Sequence, residues 1–280
     1  MEEIQKILEG AIDFHIHTGP DPYRERSVDA ITAAREVKEL GMRGVVLKSH
    51  DYPTAPLARM VEEVIGGVKM VGSLVLNHAV GGINPQAVDA SARMGAKVVW
   101  MPTLSSLPDT MRRGLGGGIR ILGNDGGVLS EVKEVIALAQ KNGLALCTGH
   151  ISREEVFAFV DTALAMDLEK IVVTHPLARG VGESLSLADQ KELAARGAFI
   201  EHCFVATTPT FGGLATEKIA EAIRNIGVGS CIVSTDLGQI QNPRPAEGMK
   251  IMIESMLGCG FTGEEPEVLV KENPGRILDL

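Results

Sequence analysis

The 280-residue sequence is poor in cysteine, poor in positive charge and free of long apolar runs. Its four cysteines, Cys147, Cys203, Cys231 and Cys259, all fall in the second half, and no two form a Cys-x-x-Cys pair. That spacing excludes a zinc knuckle and a disulfide framework, and it fits a reducing compartment. Lys and Arg together number 27 against 36 Asp and Glu, a formal net charge of -9. Such a surface repels phosphate backbones and anionic lipid headgroups, so neither nucleic acid nor membrane is an expected partner, and a small-molecule substrate is. No run approaches the roughly 18 apolar residues of a membrane span. The first ten residues are acidic and helix-like, without the basic start and apolar centre of a secretory signal. A cytoplasmic protein is expected.

What is present is a regular alternation. The hydrophobic fraction of 45% and charged fraction of 22% are those of a folded chain. Short apolar runs of strand type occur at 11–16, 44–47, 69–76, 97–101, 144–147, 171–174, 198–201 and 230–234. Between them lie stretches with apolar residues at three- and four-residue intervals, such as 27–40, 131–141, 152–166 and 216–225. Eight strand–helix units in succession suit either a closed barrel or a doubly wound open sheet.

The polar residues decide between them. His15 and His17, Lys48 and His50, His78, His150, His175, Glu201 and His202, and Asp236 all stand at or just beyond the C-terminal ends of the runs. In a barrel those ends converge on one mouth, where barrel enzymes keep their active sites; in an open sheet they are strung along an edge. The expectation is therefore a single (β/α)8 TIM barrel spanning residues 1–280 as one domain. The long connection from Met101 to about Val128 contains Gly123-Asn-Asp-Gly-Gly127, turn chemistry that predicts a small β-hairpin insertion after strand four. Its glycines lack the Gly-Lys-Ser/Thr ending of a phosphate loop.

In Asp13-Phe-His15-Ile-His17, strand alternation puts both histidines on one face, where both imidazoles can meet a borderline-soft cation such as zinc. His150 and His175 each follow a strand directly, and Asp236 ends the last strand, which in a closed barrel neighbours the first. Four imidazoles and a carboxylate suit a divalent metal, and the carboxylate can also accept a proton.

A His-x-His after strand one, a His after strand five, a His after strand six and an Asp after strand eight resemble the pattern of the amidohydrolase superfamily, metal-dependent hydrolases of TIM-barrel fold. The resemblance covers nearly the whole chain, and Asn273-Pro-Gly-Arg-Ile-Leu278 is similar to the ending of many such enzymes. It implies His15, His17, His150, His175 and Asp236 as metal ligands, Asp236 also as general base, and one or two divalent ions, zinc first with Mn, Fe or Ni as alternatives. It implies hydrolysis of an amide, lactone, ester or phosphoester, with decarboxylation by the same superfamily and a non-catalytic ligand-binding barrel as the other readings.

One departure stands out. Many two-metal relatives place a bridging carboxylated Lys or a Glu after strand four, where this chain has Trp100-Met-Pro-Thr103. Lys48, His50 or Glu201 are candidates for a second-site ligand or for substrate contact. His78 and His202 are candidate catalytic residues that orient substrate or polarise a carbonyl. Arg24, in the first strand-to-helix loop, can bind a substrate carboxylate or phosphate. The cysteines are expected to pack. Self-association into a homo-oligomer is compatible with this class of barrel, although no feature fixes a symmetry.

Overall fold

The computed structural model describes residues 2–280. Eight strands, β1 (Ile12–Ile16), β2 (Gly44–Leu47), β3 (Lys69–Val75), β4 (Ala96–Trp100), β5 (Ala145–Cys147), β6 (Ile171–Val173), β7 (Phe199–Cys203) and β8 (Cys231–Ser234), form one sheet in chain order, each parallel to the next. Helices α1 (Glu2–Leu8), α2 (Ala30–Glu39), α3 (Ala55–Ile65) and α4 (Pro85–Arg93) accompany the first half. Helices α5 (Leu107–Arg112) and α6 (Ser130–Asn142) join β4 to β5; α7 (Arg153–Ala165), α8 (Leu187–Ala195) and α9 (Thr216–Ile226) follow the next three strands, and α10 (Pro245–Gly258), α11 (Glu264–Glu267) and α12 (Asn273–Leu278) follow the last. This is the (β/α)8 barrel that the convergence of polar strand ends predicted.

Several helices begin where a side chain caps them. The Asp29 carboxylate accepts from the backbone N–H groups of Ile31 and Thr32 at the start of α2, and Ser152 and Glu155 form a reciprocal capping box on α7. Along α7, Val156, Phe159, Val160 and Ala163 are buried, the spacing that turns one helical face onto the sheet. No helix among the described residues is long and apolar enough to cross a membrane.

Two apolar layers result. One lies between the strands and the helices. The other fills the barrel, with Ile12, Phe14, Val46, Val98, Trp100, Val172 and Ile232 among its members, and Ile277 and Leu278 of α12 join it from the strand-start end. The barrel is thus a packed core, and its top layer is the indole of Trp100.

The seam between β8 and β1 closes through a few polar contacts. The Asp236 N–H donates to His15 O and the His17 N–H to Leu237 O, each at 2.7 Å. Across the same seam, Asp13 Oδ1 accepts from the Thr235 N–H at 2.9 Å and Oδ2 from the Thr235 hydroxyl at 2.6 Å. Burial pushes the Asp13 carboxyl up to about 7, against the pull of these hydrogen bonds.

The connection after β4 begins with helix α5, which Ser106 caps with its hydroxyl and a proline in the first turn favours. The Asn-Asp-Gly turn follows it, flanked by an antiparallel bridge between Leu122 and Val128, with the Gly123 N–H donating to Gly127 O at 2.8 Å and the Leu129 N–H to Ile121 O at 3.0 Å.

Gly72 of β3 faces α3 with no room for a side chain: a Cβ there would stand 2.3 Å from Ala55 Cα. Gly72→Val is therefore expected to destabilise the barrel by about 1–3 kcal/mol through overpacking. Thermal unfolding followed by circular dichroism reads this directly; a wild-type midpoint in the variant would show that α3 does not press on β3 here.

Candidate metal centre

The register of β1 on β2 slips by one residue between Asp13 and Ile16. Such a bulge re-aims the side chains beside it. Phe14 reaches the barrel interior while His15 lies 5.3 Å from the Trp100 ring, centroid to centroid. His15 Nε2 and His17 Nε2 both stand 3.1 Å from Asp236 Oδ1, so the seam delivers Asp236 to the His-x-His pair.

His150 and His175 close the set from the other side, their Nε2 atoms 3.1 Å apart, with His175 Nε2 3.9 Å from Asp236 Oδ2. Backbone geometry aims both. Gly149 sits at a φ of +61, and a Cβ there would lie 2.3 Å from Met101 O, so only glycine lets the chain pass before His150. His175 and Asp236 themselves adopt positive φ values of 25 and 52. Non-glycine residues in that region carry strain of order 1–3 kcal/mol that a functional site can require.

The ring orientations suit a cation. His150 Nδ1 is 2.6 Å from Asp109 Oδ2 and His15 Nδ1 is 3.1 Å from Glu201 Oε1. A carboxylate can only accept, so each Nδ1 carries the hydrogen; for His150 this keeps the Nε2 lone pair toward the centre, and for His15, whose Nε2 faces Asp236, it would do so once a bound cation takes that contact. Burial pulls His17 and His175 each down to about 3, and His150 down as well, which keeps these rings uncharged. For His15, burial pulls the same way, but Asp236 and Glu201 outweigh it and raise the ring. A tetrahedral zinc with bonds of about 2.0–2.1 Å holds its nitrogens roughly 3.3 Å apart. The spacing of 3.1 Å between His150 and His175 is close to that. The donor set therefore fits a divalent metal.

Among the described residues, one compact three-donor cluster comprises His15, Cys203 and Asp236, with ligand atoms within 4.8 Å of one another. Cys203 Sγ, however, stands 4.0 Å from Nδ1 of His15, the edge that faces Glu201, whereas Asp236 meets Nε2. Burial drives the Cys203 thiol well up, and Sγ contacts Ser234 Oγ at 3.2 Å. The imidazole set is the better donor, and Cys203 packs beneath it.

Around the ligands lies a mouth cavity of about 140 Å³, to which Arg24, Lys48, His50, Phe211 and Gln239 contribute. Larger clefts of about 540 and 770 Å³ open at the strand starts and hold none of the histidines. Lys48 is buried, its Nζ 2.8 Å from His15 Nε2 and 4.9 Å over the Trp100 ring. Burial lowers its ammonium pKa. His50 stacks on His17 with ring centroids 4.8 Å apart. Arg24 is held by Asp51 at 2.9 Å and by Asp21 at 3.5 Å. Glu201 is fully buried and accepts from the Ser234 hydroxyl at 2.7 Å as well as from His15.

Two residues singled out in the sequence stay outside. His202 follows Glu201 in β7, and alternation turns it away from the barrel interior; neither ring nitrogen has a partner among the described residues, and burial lowers the ring to about 4. His78 is exposed at the rim, and its Nε2–H donates to Gly117 O at 2.7 Å, which ties down the glycine-rich connection. Neither lines the mouth cavity. Conversely, Asp109 and Trp100 matter to the site without having been singled out. Asp109 is buried on α5 and also accepts from Arg112 at 2.5 Å and the Gly182 N–H at 2.8 Å. Burial alone would raise this carboxyl, but His150 and these donors hold it well below the usual carboxylate range.

Residues 10–201 match the model of DUF6282, a family of unknown function. The chain belongs to DUF6282. No curated protein matches this DUF6282 chain in sequence. Solved structures similar in fold include an amidohydrolase from Pseudomonas aeruginosa, at 13% identity over 99% of this chain and 97% of that one with a TM-score of 0.69. A probable dipeptidase from the same organism gives 11%, 99% and 97% with a TM-score of 0.66. A lactonase from Listeria monocytogenes gives 13%, 97% and 96% with a TM-score of 0.62. The fold of this DUF6282 protein is that of amidohydrolase-type hydrolases.

If Asp109 fixes the tautomer of His150, Asp109→Ala should weaken zinc binding about 10–100-fold, the usual cost of losing such a partner. Competition against a chromophoric chelator measures this, and unchanged affinity would remove Asp109 from the centre.

Proposed function

We propose that this protein is a divalent-metal-dependent hydrolase of small molecules, with a centre built by His15, His17, His150, His175 and Asp236. The observation that carries the reading is the convergence of Nε2 atoms on the Asp236 carboxylate, with His15 and His150 oriented from behind by Glu201 and Asp109. When bound there, a zinc-type ion supplies Lewis acidity and lowers the pKa of water toward about 7. Mn, Fe and Ni accept the same donors.

The chain's own groups do the rest. Asp236 Oδ1 is shared between His15 and His17, while Oδ2, 3.9 Å from His175, is the freer oxygen. It accepts the proton of the attacking water and returns it to the leaving group, the exchange expected of a buried carboxylate beside the reacting atoms. Arg24, fixed through Asp21 and Asp51, orients an anionic or carbonyl-bearing substrate at the rim. A cavity of about 140 Å³ lies below the usual range of about 300–1,000 Å³ for drug-sized ligands, so the substrate is small. Amides, lactones, esters and phosphoesters all suit this apparatus.

A second reading, decarboxylation at the same centre, is favoured by the cationic Arg24 and Lys48 at the cavity, which suit a substrate carboxylate.

Elemental analysis of untagged protein is expected to find one to two equivalents of a divalent metal, lost in a His15→Ala, His17→Ala double variant. On a panel of small lactones, esters and amides, Asp236→Asn should then lower kcat about 10²–10⁴-fold. Wild-type protein that holds no divalent metal even after reconstitution would sink the hydrolase reading. Carbon dioxide release without hydrolysis would select the second.

A further inference from the structure

The histidines of the mouth are sorted by what their Nδ1 atoms meet, and His50 is sorted differently from His15 and His150. Its Nδ1 lies 2.9 Å from the Thr103 hydroxyl, a group able to donate or accept. Asn77 settles which. The Thr103 and Ser105 backbone N–H groups donate to Asn77 Oδ1 at 2.8 and 3.2 Å, which fixes the orientation of the amide. Asn77 Nδ2 then spends its hydrogens on His50 O at 3.0 Å and Thr103 Oγ1 at 2.8 Å. Thr103 is fully buried and already accepts from Asn77, so its own hydrogen has one acceptor among the described residues, His50 Nδ1. The chain of donors runs Asn77, Thr103, His50, and it leaves the imidazole hydrogen on Nε2.

We propose that His50 is a neutral hydrogen-bond donor to the substrate, presenting Nε2–H to the carbonyl or phosphoryl oxygen on which negative charge gathers, and is not a metal ligand. The ring lines the mouth cavity, stacks on His17 and stands 6.5 Å from His150, centroid to centroid. Nε2 has no protein partner among the described residues, so its hydrogen is free for a ligand. Orienting the donor beforehand is what makes it effective: it meets developing charge without reorganisation, and removing one such donor commonly costs 10²–10³-fold in kcat. The inference rests on the reading of this mouth as a catalytic centre, yet its test is separable.

Long-range proton–nitrogen NMR on protein with ¹⁵N-labelled histidine reads each ring's tautomer, and His50→Gln identifies the His50 signals. The metal-free spectrum should show His50 protonated at Nε2, and Thr103→Val should release it into a mixture of tautomers. Adding zinc should move the nitrogens of His15, His17, His150 and His175 and leave those of His50 in place. In zinc-loaded protein, inorganic phosphate should bind at least tenfold more weakly to His50→Ala than to wild type at equal metal content. A bare Nε2 in the metal-free protein, a zinc-induced shift at His50, an unchanged tautomer in Thr103→Val or equal phosphate affinity would each overturn the assignment. If zinc moves no histidine, the metal centre falls, while the metal-free tautomer still decides His50.

Discussion

The seam between β8 and β1 is the constraint on which the candidate centre rests. Seven of the strand junctions carry parallel ladders, two of them with a register shift, but the eighth is held by two backbone hydrogen bonds and by Asp13 gripping Thr235. A buried carboxylate is costly unless its oxygens are satisfied, and Asp13 engages both oxygens across the junction. The same contact sets the height of Asp236, one residue beyond Thr235, against His15 and His17. Ring closure and assembly of the donor set are therefore one event.

Above that seam the mouth is organised by acceptors rather than by net charge. Carboxylates behind His15 and His150 hold a hydrogen on each Nδ1, whereas a hydroxyl behind His50 turns that ring's hydrogen inward. Rings of one residue type thereby take on opposite electronic characters within a few ångströms. Lys48 adds a cation against His15, and Trp100 below offers its π face to that ammonium. An incoming divalent ion must contend with Lys48 for the His15 lone pair, so the ligand field and the amine are coupled.

Much of this was legible in the sequence because it follows from period and position. Eight apolar runs with polar ends fix a barrel and its mouth, and a two-residue spacing puts His15 and His17 together. Parity also explains His202: position alone placed it at the mouth, but the step after Glu201 in a strand points to the other face. His78 lies one turn past its strand, in a short 3-10 helix where strand alternation no longer applies. Asp109 could not be found by either rule, since it comes from a helix inside the long connection, where glycines drew attention to a turn. Its signal was local, a Ser-Leu-Pro-Asp helix start that brings a carboxylate back over β5. The bulge in β1 leaves no mark in composition, because both Phe14 and His15 are plausible on either face.

Trp100 is the only tryptophan of the chain and is fully buried. It ends β4 and forms the floor beneath His15 and Lys48. Intrinsic indole emission from this protein consequently arises at one place, within contact distance of the candidate ligands. An event at the mouth, such as ion uptake, protonation of an imidazole or displacement of Lys48, changes the electric field and quenching environment of that single fluorophore. The molecule carries its own optical probe of the site, with no label to attach and no second indole to subtract.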